Sequence, residues 1–402
     1  MNSLVGLMPL ALALVLTGGQ ADKKDKDKEP APTPAQFPGP LCSKCKTTGK
    51  IENPLFKELN KLEGKASCCS YPIEKDPVGH GLPWLPCKDC RNEAAQKAAQ
   101  DEFKPLFDGR TAWLADRHKI NQTLDTELTH VETKNFLVTM AIEKMSVDNK
   151  QLNQHEIAHL YADRLEKLYQ DFLDRFGLND EDMIYVRHRV MMFPTQKVSM
   201  KAGTIYAGMT STEACKRLGM DSIFCGWWNK QFNPQDSDLH SYVIHHVTHM
   251  LLTMVGGLNY CVWLGHIGSG WLEEGLGHFY EMEWFGAGRT HCTRESSMLT
   301  DWIHDDWRPW IRKRVVQGEV MDLASLDGKT SDALSAKEHV FSWSFVDYLL
   351  NAEDPHKFPE FVKHLKNKET LSTAMRAVYG FTIAGFNDKW KDYVIKKYLP
   401  TR

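Results

Sequence analysis

Asp238–Glu281 reads DLHSYVIHHVTHMLLTMVGGLNYCVWLGHIGSGWLEEGLGHFYE, and the organisation of the whole chain follows from it. It carries His240, His245, His246, His249, His266 and His278, six of the chain's 17 histidines. The first half predicts a helix. On it His245 and His249, four residues apart, point to one side and can share a metal ion. Val243, Ile244, Val247, Met250, Leu251, Leu252 and Val255 leave that helix almost no polar face, so it is expected in the core. Buried imidazoles need partners, and Glu274 in the following WLEEG is the candidate third ligand. The competing reading is a core helix whose histidines are satisfied by hydrogen bonds alone.

HHVTH at 245–249 followed by WLEEGLGHFYE at 271–281 resembles the gluzincin (peptidase MA-like) zinc metallopeptidases. Their pattern is HExxH and then W-L-x-E-G-x-A-x-Y on a second helix. The resemblance implies zinc held by His245, His249 and Glu274, with Trp271, Leu272, Gly275, His278 and Tyr280 at the second helix's positions. It implies an α+β, zincin-like domain with a mixed strand-and-helix N-terminal half and a helical C-terminal half. The 24 residues between His249 and Glu274 (250 to 273) exceed the family spacing and place an insertion around Gly256–Gly270. It also sets His339 loosely where the family has a tyrosine that steadies an oxyanion.

The family's glutamate after the first histidine, which takes a proton from the attacking water, is here His246. His246 therefore stands in the catalytic base position. A neutral imidazole can accept a proton, but its reach and charge differ from a carboxylate's. Two functions follow as expectations. One is zinc-dependent hydrolysis of a peptide or protein. The other is a catalytically inactive pseudopeptidase whose cleft binds extracellular peptides or proteins.

A second motif competes. His155-Glu156-Ile157-Ala158-His159 is a complete HExxH inside a helix expected over 151–176. Its apolar stripe is Ile157, Leu160, Tyr161, Leu165, Leu168, Phe172 and Phe176. His155 and His159 fall opposite, on a face shared with Asp163, Glu166 and Gln170, which reads as solvated. This motif remains an alternative metal site.

Around this core the chain divides in order. Residues 1–21 (MNSLVGLMPLALALVLTGGQA) read as a signal peptide, which predicts export to the medium, periplasm or cell envelope. Residues 22–40 are charged and then proline-rich, expected as a disordered spacer. Residues 41–92 hold Cys42, Cys45, Cys68, Cys69, Cys87 and Cys90, a module stapled either by zinc or by up to three disulfides. A thiol–disulfide catalyst there would need a reactive thiol at Cys42 or Cys87. Residues 110–400 form the peptidase-like domain. A helix is expected over 92–110. Strands are expected over 130–143, 183–193 and 203–209, and helices over 297–316, 337–351, 356–365, 372–378 and 383–398. Cys215 with Cys225, and Cys261 with Cys292, are candidate disulfides, with buried free thiols as the alternative. The formal net charge of -3 gives no support for nucleic-acid binding, and nothing beyond the leader suggests a membrane span.

Overall fold

The computed structural model describes residues 41–54, 68–70, 82–184, 186–231, 233–292 and 306–399. The leader at 1–21, the spacer at 22–40 and the start of the helix expected from residue 297 lie outside them.

A six-stranded mixed sheet carries the N-terminal half, in the order β2-β4-β5-β8-β10-β9. Its strands are β2 (Cys68–Cys69), β4 (Thr129–Glu132), β5 (Phe136–Met140), β8 (His188–Phe193), β9 (Ala214–Arg217) and β10 (Ile223–Trp227). The three central strands β5, β8 and β10 run parallel, and the outer strands pair antiparallel. Side chains alternate faces along each strand. Phe136, Val138, Met140, Val190, Met192 and Phe224 join the main core, whereas Met191, Phe193, Ile223 and Cys225 face a smaller core on the other side. Ribbon β1 (Lys50–Glu52) and β3 (Trp84–Pro86) and hairpin β6 (Lys144–Val147) and β7 (Lys150–Asn153) complete the strands described.

Among the described residues the helices are α1 (Glu93–Leu124), α2 (Gln154–Phe176), α3 (Gln196–Ala202), α4 (Asp236–Met254), α5 (Gly270–Phe285), α6 (Trp307–Val316), α7 (Ala336–Asn351), α8 (Phe358–Lys366), α9 (Leu371–Tyr379) and α10 (Ile383–Lys397). None is long and apolar enough to cross a membrane. The mixed first half and helical second half are as expected.

Several expectations are corrected. The strand expected over 130–143 is a hairpin, β4 and β5, and the helix expected over 92–110 runs on to Leu124. Gly203–Met209 is no strand but a π-helical turn, Gly203–Ala207, continuing α3. A Cβ on Gly203 would come within 2.3 Å of Cys215 Sγ, so the turn lies tightly against β9. The face of α2 opposite its stripe is solvated only in part: Gln170 is exposed and Asp163 half-buried. His155, His159 and Glu166 are buried. Glu166 accepts from Asn135 N and Asn135 Nδ2, both at 2.8 Å, fastening the β4–β5 turn to the helix. The rest of that face is covered because the sheet and α4 flank the helix.

Helix α4 is anchored at both ends. Arg164 of α2 binds Asp236 in its first turn through two contacts of 2.7 and 2.6 Å. At its C-terminus the buried Lys366 Nζ donates to the carbonyls of Leu252, Thr253 and Val255 at 2.8–2.9 Å. A cation there suits the negative end of the helix dipole. Lys366→Met strips three buried acceptors of their donor and is expected to cost about 3 kcal/mol. Urea unfolding checks this, and an unchanged midpoint would contradict it.

Candidate metal centre

Helices α4, α5 and α7 pack together and bring their polar residues to one buried place. Close approach of α5 to its neighbours requires its glycines. A Cβ on Gly275 would meet Ser342 O at 2.5 Å, and one on Gly277 would meet the His245 ring at 2.8 Å.

His245 and His249 face α5, as the four-residue spacing requires, and both are fully buried. His245 Nε2 lies 3.2 Å from Glu274 Oε2, and His249 Nε2 lies 3.7 Å from Glu274 Oε1. The structure thus brings together the three residues singled out as ligands. Cys292 joins them, its Sγ 3.6 Å from His245 Nε2, 3.8 Å from His246 Nδ1 and 3.9 Å from His249 Nε2. These imidazole and thiol donors lie within 4.8 Å of one another, a cluster able to hold a metal ion. A tetrahedral zinc with bonds of about 2.0–2.3 Å puts neighbouring donors about 3.3–3.6 Å apart; the observed 3.2–3.9 Å lies within a few tenths of an ångström of that range.

Carboxylates and a lysine gather here as well. Glu273, Glu274 and Glu281 are all buried within this cluster. Glu274 Oε1 has no hydrogen-bond partner. Despite burial, which opposes its charge, Glu274 is held far below the usual carboxylate range by His249, His245 and Lys216. Burial pushes Glu273 up to about 7, and the Glu274 charge adds to the rise. Lys216, reaching in from edge strand β9, places Nζ 3.1 Å from Cys292 Sγ. Burial works against its charge, but Cys292, Glu274 and Glu273 hold its pKa up.

The surrounding side chains orient the donors, as outer partners do in metal sites. Glu281 Oε2 accepts from His245 Nδ1 at 3.2 Å and from His278 Nδ1 at 2.7 Å. Ser241 Oγ and Thr290 Oγ1 donate to its Oε1 at 3.0 and 2.7 Å. Burial opposes a charged His245, yet Glu281, Cys292 and Glu274 raise its pKa well above the ordinary value. Glu273 Oε1 lies 2.6 Å from His249 Nδ1 and accepts from Trp263 Nε1 at 2.7 Å. Gly265 N also donates to Glu273. The long segment between the helices therefore serves the centre by fixing Glu273. His339 is fully buried, with Nδ1 3.6 Å from Glu274 Oε2 and 2.9 Å from His278 Nε2.

His246, one residue and roughly 100° around the helix from His245, meets the cluster from its edge through Nδ1, 3.8 Å from Cys292 Sγ. Its ring sits against Phe224 and Tyr242, with centroids 4.9 and 4.7 Å away. Burial, with Lys216 and the neighbouring histidines adding, drives its pKa well below the ordinary value. His240 stands apart beside Phe285 and Tyr161, and His266 is exposed. Of the two readings the sequence left for Cys261 and Cys292, a disulfide or free thiols, the structure has the second. Lys216, Glu281 and the place of Cys292 beside the histidines were not anticipated. Only Glu281 left a local signal, three residues beyond His278 on one helix face.

The cysteine-rich segment divides. Cys42 and Cys45 precede ribbon β1–β3, and Cys87 and Cys90 follow it; these four, all free thiols, form a small buried cluster. The sulfurs of Cys42, Cys45 and Cys87 lie within 4.8 Å of one another, and Cys42 and Cys87 are 3.9 Å apart, far beyond disulfide length. Gly49, at φ 77°, makes the tight turn, and a Cβ there would meet Ala95 O at 2.3 Å. Burial pushes the Cys87 thiol up to about 11, which argues against a reactive nucleophile at that position. Cys68 and Cys69 belong instead to β2 of the large sheet. Cys215 and Cys225 face each other across β9 and β10 as free thiols.

No family model matches the chain, and no curated protein matches it.

Proposed function

We propose that this chain is an exported, zinc-binding protein of the gluzincin peptidase kind, with His245, His249 and Glu274 as ligands. The observation that carries this reading is the set of donor separations, 3.2 and 3.7 Å from the two Glu274 oxygens to the two histidines, close to those around one tetrahedral ion. Zinc held there supplies Lewis-acid polarisation of a peptide carbonyl and activation of water. The chain's own residues do the rest. Glu281 and Glu273 fix the two imidazoles, and Lys216 offsets the charge of the carboxylates.

Two observations favour a resting, non-hydrolytic centre that serves as a binding module for peptides or proteins. Cys292 Sγ lies where a fourth ligand stands, 3.6 and 3.9 Å from the two histidines. A thiolate there fills the position that a catalytic site keeps open. His246, in the base position, is buried against two aromatic rings and held neutral, so it is a poor proton acceptor. The four-thiol ribbon is a structural zinc knuckle in this reading, attached to a peptidase-like domain spanning 110–400.

Metal analysis of the full chain and its His249→Ala variant tests the proposal. The variant is expected to hold one equivalent of zinc fewer. Equal zinc in both proteins would rule the site out.

A further inference from the structure

The HExxH at 155–159 plays no part in the centre above, which lies on other helices. It is not idle surface. His155 and His159 are buried at the start of α2, with ring centroids 4.7 Å apart. Opposite them lies Cys69 of β2, also fully buried within the main core. One donor atom from each of the three lies within 4.8 Å of the others.

We propose that Cys69, His155 and His159 form a second metal site, suited to zinc, that fastens β2 to α2. A thiol and two imidazoles four residues apart on a helix are the donor types zinc prefers. Since the donors lie within 4.8 Å of one another, reaching the about 3.3–3.6 Å separation of a tetrahedral ion needs a closure of at most about 1.5 Å, within reach of side-chain rotation.

The motif's glutamate serves the backbone instead. Glu156 Oε2 accepts from Asn153 N at 3.0 Å while Asn153 Oδ1 accepts from Glu156 N at 3.0 Å, a capping box. Its other oxygen lies 3.3 Å from Lys150 Nζ. Those bonds commit the carboxylate to the helix start. The third nearby imidazole, His130, is committed too, to Thr139 and Asn121 at 3.0 and 2.8 Å. The site therefore has metal donors without a placed base, and its role is structural.

That role answers a need of the fold. Among the described residues strand β2 is two residues long and pairs with β4 through Cys68–Glu132 and Cys69–Val131. Beyond the ladder, Arg110 donates to Cys69 O and Ser70 Oγ accepts from His130 N. A strand so short gains little from its ladder. A metal between Cys69 and the α2 histidines would lock it to the core.

The test is metal content of the full chain grown with zinc, compared with Cys69→Ala and with the His155→Gln/His159→Gln double variant. Each is expected to lose one equivalent, independently of the equivalent lost by His249→Ala. If either folded variant keeps the wild-type content, the proposal is overturned. Should the variants fail to fold, anomalous scattering at the zinc edge from wild-type crystals decides. A peak between Cys69 Sγ and the two imidazoles supports the site, and none there in zinc-loaded crystals overturns it.

Discussion

The double variant Cys292→Ala/His246→Glu, loaded with zinc, is expected to hydrolyse an unstructured protein substrate such as casein at least about 100-fold faster than the parent. Removing the thiol frees the fourth position beside His245 and His249. Replacing His246 supplies a carboxylate where the present imidazole is held neutral. His246 Nδ1 lies 3.8 Å from Cys292 Sγ, so a carboxylate from that position can reach the space the sulfur leaves. A positioned general base contributes roughly 10²–10⁴-fold, which sets the expected size. Cys292→Ala alone should release less of the effect, because His246 remains. A zinc-loaded double variant with no more activity than the parent would sink the hydrolytic reading and leave the binding module.

Gly277→Ala is expected to weaken zinc binding about 10- to 100-fold with the ligands themselves untouched. The new methyl would lie 2.8 Å from His245 Cε1 and Nδ1, where no Cβ can sit without displacing the ring. The ring has nowhere better to go, since Glu274 and Glu281 each hold one of its nitrogens at 3.2 Å. Gly275→Ala meets the α7 backbone at Ser342 O instead, so its cost should fall on folding stability. Competition with a chelator of known affinity separates the two. Wild-type affinity in Gly277→Ala would show that the ring has more freedom than its contacts imply.

How much of this was legible differs from element to element. Helices over 154–176, 336–351 and 383–397 were expected within a few residues, because an apolar stripe at helical spacing is a local property. The imidazole pair His245 and His249 was legible for the same reason, and Glu274 followed from a resemblance in the adjoining helix. Strands β9 and β10 were missed and Gly203–Ala207 was misread as a strand. Strand preference depends on cross-strand partners, and ACKR at 214–217 carries little alternation of its own.

The amino-acid order by itself determined the helix that presents two imidazoles on one face and the carboxylate that follows. Tertiary structure alone decided what surrounds them. Cys292 follows His249 by 43 residues (292 − 249) and Lys216 comes from an edge strand, yet both reach the same buried space. It also decided the fate of the second motif. A helical wheel puts His155 and His159 on the polar side, but a wheel knows only its own helix. Burial of that side depends on β2, whose Cys69 is 86 residues (155 − 69) before His155 and packs there through the sheet. Spacing along one helix is set by bonds a few residues long, whereas burial and coordination are set by distant segments that only folding brings together.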